Sequence, residues 1–190
     1  MIKRISAAAL LAAAGQLVFA ASVPAVPDGL KVIYSTLNDD RDKAYDCCTG
    51  LALNNSPSSR EQQFIAMPFT PAEDGHVRRV DLAITWTGGA NRVSISLRAD
   101  AGGVPGDVIK QAGESDFPVS GTCCELKAVS TGRIAVQGGV RYWIVARPTA
   151  DMWGAWNDNT IGATGDFAFK QNEGWVAWNG SLGAFAVLGD

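Results

Sequence analysis

Arg79-Val80-Asp81-Leu82-Ala83-Ile84-Thr85-Trp86 and, one turn later, Val93-Ser94-Ile95-Ser96-Leu97-Arg98 decide the fold. Val80, Leu82, Ile84 and Trp86 alternate with Arg79, Asp81, Ala83 and Thr85, and Val93, Ile95 and Leu97 alternate with Ser94, Ser96 and Arg98. A period of two puts one set of side chains on a buried face and the other in water, which is the pattern of a half-buried antiparallel strand. No comparable i, i+3, i+4 periodicity follows residue 20.

Outward from these two stretches, short apolar runs continue along the chain at Lys31–Thr36, Gln63–Phe69, Arg78–Trp86, Arg92–Ala99, Asp107–Ala112, Glu125–Val129, Arg133–Gln137, Arg141–Arg147, Gly154–Asn157, Asp166–Gln171, Gly174–Trp178 and Ala184–Leu188, some of them expected to merge. Gly88-Gly89, Gly102-Gly103, Gly138-Gly139 and Asn172-Glu173-Gly174 lie between them and supply the positive φ of tight connections. Many short strands at even spacing predict an all-β, antiparallel two-sheet sandwich of jelly-roll type over residues 31–190. The segment Asn38–Arg60 breaks the pattern and reads as a long polar surface loop.

Ahead of that domain, Lys3 and Arg4 precede an apolar stretch from Ile5 to Ala20, the charged head and greasy middle of a signal helix. Val18 and Ala20 stand at the −3 and −1 positions for cleavage before Ala21. About 16 apolar residues are too few to cross a bilayer, so residues 1–20 are expected to be removed and residues 21–30, which hold Pro24 and Pro27, form a lead-in. Loss of Lys3 and Arg4 takes the formal charge from −3 to −5. A mildly acidic chain without a basic cluster argues against nucleic acid as a partner. The ending Phe185–Asp190 carries no long apolar tail. A protein without a membrane span, released to the periplasm or beyond, is expected.

The four cysteines form two adjacent pairs, Cys47-Cys48 and Cys123-Cys124. In an oxidising compartment an even number reads as disulfides. On antiparallel strands, Cys47 would face Cys124 and Cys48 would face Cys123, at separations a disulfide accepts. That pairing is favoured over the parallel one and over two vicinal rings. A zinc site or a redox motif would call for C-x-x-C, which is absent.

Candidate chemistry is sparse. His76 is the sole histidine and no G-x-S-x-G accompanies it, so no catalytic residue is assigned and no cofactor is expected. Trp153 and Trp156 lie three apart, as do Trp175 and Trp178, so the members of each pair face opposite ways on a strand. With Asn157 they form a candidate surface for a glycan or another component of the cell envelope, since an indole stacks on a sugar ring while amides bind its hydroxyls. The alternative is that these rings fill the core. Asp100 and Asp107 flank a Gly-Pro turn and offer a weaker calcium alternative; otherwise no metal is expected. Two carboxylates of a glycosidase can lie far apart in sequence, and nothing here singles out a pair.

Ile65-Ala66-Met67-Pro68-Phe69-Thr70-Pro71, the strand Val93–Asp100 running into Gly103-Val104-Pro105-Gly106, and Trp153–Asn157 together resemble the choice-of-anchor type of exported bacterial domain. The resemblance spans about Ile33 to Leu188. It implies a β-sandwich at the cell exterior, often with a C-terminal sorting tail, and assigns no activity. This chain departs from it in lacking that tail.

Overall fold

The computed structural model describes residues 25–55, 62–171 and 174–190. The expected signal helix and residues 21–24 of the lead-in lie outside them. Thirteen strands follow in order: β1 (Lys31–Ser35), β2 (Gly50–Asn54), β3 (Phe64–Phe69), β4 (Gly75–Leu82), β5 (Ile84–Gly88), β6 (Arg92–Asp100), β7 (Pro105–Ser115), β8 (Lys127–Val136), β9 (Tyr142–Pro148), β10 (Trp153–Asn157), β11 (Thr164–Gln171), β12 (Gly174–Ser181) and β13 (Phe185–Gly189). Among the described residues one 3-10 turn, Arg41–Lys43, interrupts them. Among the described residues no helix is long and apolar enough to cross a membrane.

The all-β antiparallel sandwich expected from the alternation is what forms, and hydrogen bonding divides it into a four-stranded sheet β1-β13-β4-β8, a six-stranded sheet β12-β11-β3-β9-β6-β7 and a three-stranded sheet β2-β10-β5. The alternating stretch around residue 82 shows why there is a third sheet. Its pattern runs on without interruption, yet the backbone changes partners at Ala83: β4 pairs with β13 and β8, whereas β5 pairs with β10. At the corner Ala83 donates its N–H to Ala184 O and accepts from Asn157 N. A sandwich turns its corners by letting a strand leave one sheet for another.

The core lies between the facing sheets. Val77, Val80, Val129 and Val187 from the four-stranded sheet meet Ile65, Met67, Val93, Ile95, Leu97 and Ile144 from the six-stranded one, and Leu53, Ile84 and Trp156 from the three-stranded sheet join the same cluster. Trp156 is fully buried, packs edge-on against Phe185 and donates its Nε1 hydrogen to Ala184 O at 3.0 Å. Its ring lies so close to Gly183 that a Cβ there would fall 2.5 Å from Cδ1. Only glycine fits against the indole at that point.

Three local readings change. Glu125–Val129 and Arg133–Gln137 are one strand, β8. The polar Asn38–Arg60 segment contains a strand, β2, which pairs with β10 from Gly50↔Asn157 to Asn54↔Trp153. Arg78–Trp86 is two strands, for the reason given above.

Candidate functional site

The five side chains expected to bind a ligand do not form one surface. Trp156 is committed to the core, and Asn157 is 2 % exposed. The Asn157 Oδ1 accepts from Thr85 Oγ1 at 2.8 Å and its Nδ2 donates to Asp46 O at 2.7 Å. Both are therefore corrected from ligand contacts to structural groups: a buried amide must satisfy its own donors and acceptors, and this one does so inside the fold. Trp175 is half-buried and packs with Ala66, Trp143, Val145 and Ala168 on the face of the six-stranded sheet that turns away from the core. Trp153 and Trp178 remain, 56 % and 60 % exposed. They stand on different sheets, β10 and β12.

Trp178 has the richer surroundings. β12 is an edge strand, with β11 on one side and no described strand on the other. Its register sets Trp178 opposite Phe167 and Val176 opposite Phe169. Trp178, Phe167, Phe169, Ile65, Leu51 and Gln63 line a groove of about 240 Å³ between β12–β11–β3 and β2. Phe167 and Ile65 form its buried floor and Trp178 its exposed rim, with Val176 49 % exposed alongside. Gln63, bridged to Asn54 through reciprocal backbone hydrogen bonds, supplies the polar group. An apolar slot with one amide and one exposed indole can hold a flat, amphipathic ring. On the opposite face of the same two strands, Asn179 Nδ2 donates to Asp166 Oδ1 at 2.9 Å, and Arg141 stands 4.0 Å from that carboxylate.

Two other cavities differ in character. One of about 370 Å³ is lined by Arg92, Val93, Gly113, Glu114, Ser115 and Thr149. The other, about 480 Å³, lies between the lead-in at Pro27–Leu30 and the strands carrying Arg78, Arg79 and Ser130. None of the three cavities is lined by two carboxylates.

Asp100, one of the two carboxylates of the calcium alternative, is engaged by its own turn. The Asp100 carboxylate accepts from the N–H groups of Gly102 and Gly103 and, at 2.7 Å, from Trp143 Nε1. Partial desolvation pushes the Asp100 carboxyl up, but the Trp143 and Gly103 hydrogen bonds outweigh it and leave it below the usual carboxylate value. The group caps a turn and anchors a buried indole. His76 faces Asp190, with Nδ1 3.6 Å from Oδ1, beside Arg78 and Arg133, which approach the same carboxylate.

The cysteine segments do meet, but in a different pairing. Cys47 bonds to Cys123, with Cα atoms 5.4 Å apart, rather than to Cys124. The Cys123 sulfur lies against that of Cys124 as well, and Cys48 is exposed and unpaired. The expectation of Cys47–Cys124 with Cys48–Cys123 assumed two paired strands, and neither segment is a strand. Asp46 fixes the first segment by accepting from Cys48 N at 2.8 Å and Thr49 N at 3.2 Å, and the Cys48 N–H foremost holds its carboxyl below the usual value. Tyr45 fixes the second. Its hydroxyl lies 3.0 Å from both Thr122 O and Glu125 O, and burial pushes its pKa up to about 12.

Sequence reasoning missed the groove because Leu51 on β2, Gln63 just ahead of β3 and Ile65 on β3 stand far before Trp178 along the chain. The one available signal was the alternation Phe167, Phe169 and Val176, Trp178 on consecutive runs, which places four apolar side chains on one face of a hairpin. Compared with protein-family models, curated proteins and solved structures, the chain finds no match in any of the three.

Proposed function

We propose that the chain is a non-catalytic, exported β-sandwich domain with a binding role at the cell exterior, and that its ligand is a glycan of the envelope or its surroundings. The observation that carries this reading is the exposed indole of Trp178 at the mouth of an otherwise apolar groove. A large aromatic side chain left in water on an edge strand gives up burial that the fold could use. Its exposure makes sense where a partner covers it. The ring faces a sugar's apolar side, while Gln63 and the outer-edge backbone groups of β12, which pair with no described strand, serve its hydroxyls. Export follows from the charged head and apolar stretch of residues 1–20.

A glycan array probed with the wild-type chain and with Trp178→Ala and Trp153→Ala tests it. Binding lost in Trp178→Ala and kept in Trp153→Ala supports the groove. Binding that depends on Trp153 alone moves the site to the three-stranded sheet, and no binding to any glycan rejects the carbohydrate reading.

A further inference from the structure

The slot beside Trp178 has no ionisable side chain in its lining. Leu51, Ile65, Phe167, Phe169 and the Trp178 indole make it apolar, and Gln63 is its one polar side chain. On β11 the charged residues Asp166 and Lys170 alternate with Phe167 and Phe169 and so stand on the other face of the sheet. Gln63 is half-buried, and its backbone N–H and C=O are both committed to Asn54. Its side-chain carboxamide hydrogen-bonds to no described residue. One acceptor and two donors are thus left for whatever enters the slot.

Size and polarity together restrict the ligand. The slot's volume of about 240 Å³ falls short of the about 300–1,000 Å³ of sites that enclose a small molecule. It takes one substituted edge of a ring, and the rest of the ligand stays outside. A charged substituent would lose its hydration with no counter-charge to meet it. An edge of hydroxyls would bring several donors and acceptors onto a floor of Ile65 and Phe167 that answers none of them, and Gln63 alone cannot serve them all. An acetamido group meets both demands. It is neutral, it ends in a methyl that the floor can bury, and it carries one N–H and one C=O.

We propose that the groove selects sugars bearing a 2-acetamido group. The acetyl methyl rests on Ile65 and Phe167, the acetamido N–H donates to Gln63 Oε1, Gln63 Nε2 donates to the adjacent ring hydroxyl, and the pyranose face lies on Trp178. This rests on the glycan reading of the same groove and names the class of glycan. Phe169 packs against Trp178 with ring centroids 6.4 Å apart, which holds the stacking plane beside the slot. Gln63 then decides which sugar binds, and Trp178 how tightly.

Three β-1,4-linked trisaccharides that differ only at C2 test it: the fully N-acetylated glucosamine trimer, its de-N-acetylated form and cellotriose. Each is titrated calorimetrically into the wild-type chain, Gln63→Ala and Gln63→Glu, with urea denaturation of both variants to establish that they fold. Where the strongest acetamido glycan on the array has a galacto or manno ring, the trio is rebuilt on that ring. The wild type is expected to bind the acetylated member at least about tenfold more tightly than either of the others. Gln63→Ala is expected to lose that preference while keeping its affinity for the C2-hydroxyl member. Gln63→Glu is expected to reverse the order in favour of the de-N-acetylated member, whose C2 ammonium meets the new carboxylate. As a measurement that needs no variant, saturation transfer from the wild-type protein is expected to be strongest at the acetyl methyl. Equal wild-type affinity for the acetylated and hydroxyl members, a preference that survives Gln63→Ala, or an acetyl methyl less saturated than the ring protons would overturn the acetamido assignment. Array binding confined to glycans without an acetamido group, and lost in Trp178→Ala, would overturn it while leaving the groove a glycan site. Absence of binding to any glycan would overturn both.

Discussion

Phe169 and Trp178 are diagonal neighbours across β11 and β12, with ring centroids 6.4 Å apart and planes inclined at 60°. Phe169 leans on the core, while Trp178 projects from it. The two rings grade from structural to available over one strand spacing. Trp178→Ala should therefore change folding stability little, within about 0.5 kcal/mol, as for surface positions in general. Trp156→Ala removes a fully buried indole and should cost about 3–5 kcal/mol. Urea denaturation of the two variants checks the contrast.

Asn157 offers a second contrast with the ligand role read from the sequence. Asn157→Ala leaves the Thr85 hydroxyl and the Asp46 carbonyl without their partner. A loss of about 2 kcal/mol is expected, because buried groups would lose their hydrogen bonds. Glycan binding should be unchanged in folded protein.

The Asp100 turn gives a pH signature. Its folded pKa lies below the usual carboxylate value. A carboxyl depressed on folding adds stability above its unfolded pKa and loses it as pH falls through the folded value. Asp100→Ala should cost about 1 kcal/mol near neutrality, and the difference from wild type should shrink below about pH 4 and close in stronger acid. Denaturation across that range reads it directly.

Asp81 has the opposite sign. It is 4 % exposed, and burial raises its pKa despite a bidentate contact with Arg79. A carboxyl raised on folding opposes folding when ionised, and that penalty is relieved as pH falls through the folded pKa. At neutral pH Arg79→Ala should cost about 3 kcal/mol by stranding the buried charge, whereas Asp81→Asn should stay within about 1 kcal/mol of wild type. Acidification should narrow the cost of Arg79→Ala.

What could be read in the sequence follows from how local each determinant is. Val93, Ile95 and Leu97 declare β6 because the pleat alone sets their period. Ala83 hides a change of sheet, since both strands it joins bury the same face and the pattern does not register which partner pairs with them. β2 is short and flanked by Cys, Gly and Asn, so its strand character comes from β10 and not from its own residues. The Trp spacing fixes that Trp153 and Trp156 point apart, but which one is buried depends on Gly183 and Phe185, distant in sequence. Asn157 looked like a ligand amide because polarity on a strand reads as exposure; its partners, Thr85 and Asp46, are 72 and 111 residues away. Cysteine pairing is equally illegible from the sequence, because turn contacts at Asp46 and Tyr45, and not a strand register, bring the two segments together.

Cys47 closes a span of 76 residues to Cys123. By chain entropy such a link stabilises by about 4 kcal/mol at most. Cys47→Ser, or reduction of the wild type, should lower stability toward that limit, and denaturation with and without reductant measures it.

The groove is tested most directly by calorimetric titration of the strongest glycan found on the array into wild type and Trp178→Ala. Loss of the indole is expected to weaken binding at least about tenfold, equivalent to about 1.4 kcal/mol, with folding stability unchanged. Equal affinity in the two proteins would contradict the assignment of Trp178 as the seat of the ligand.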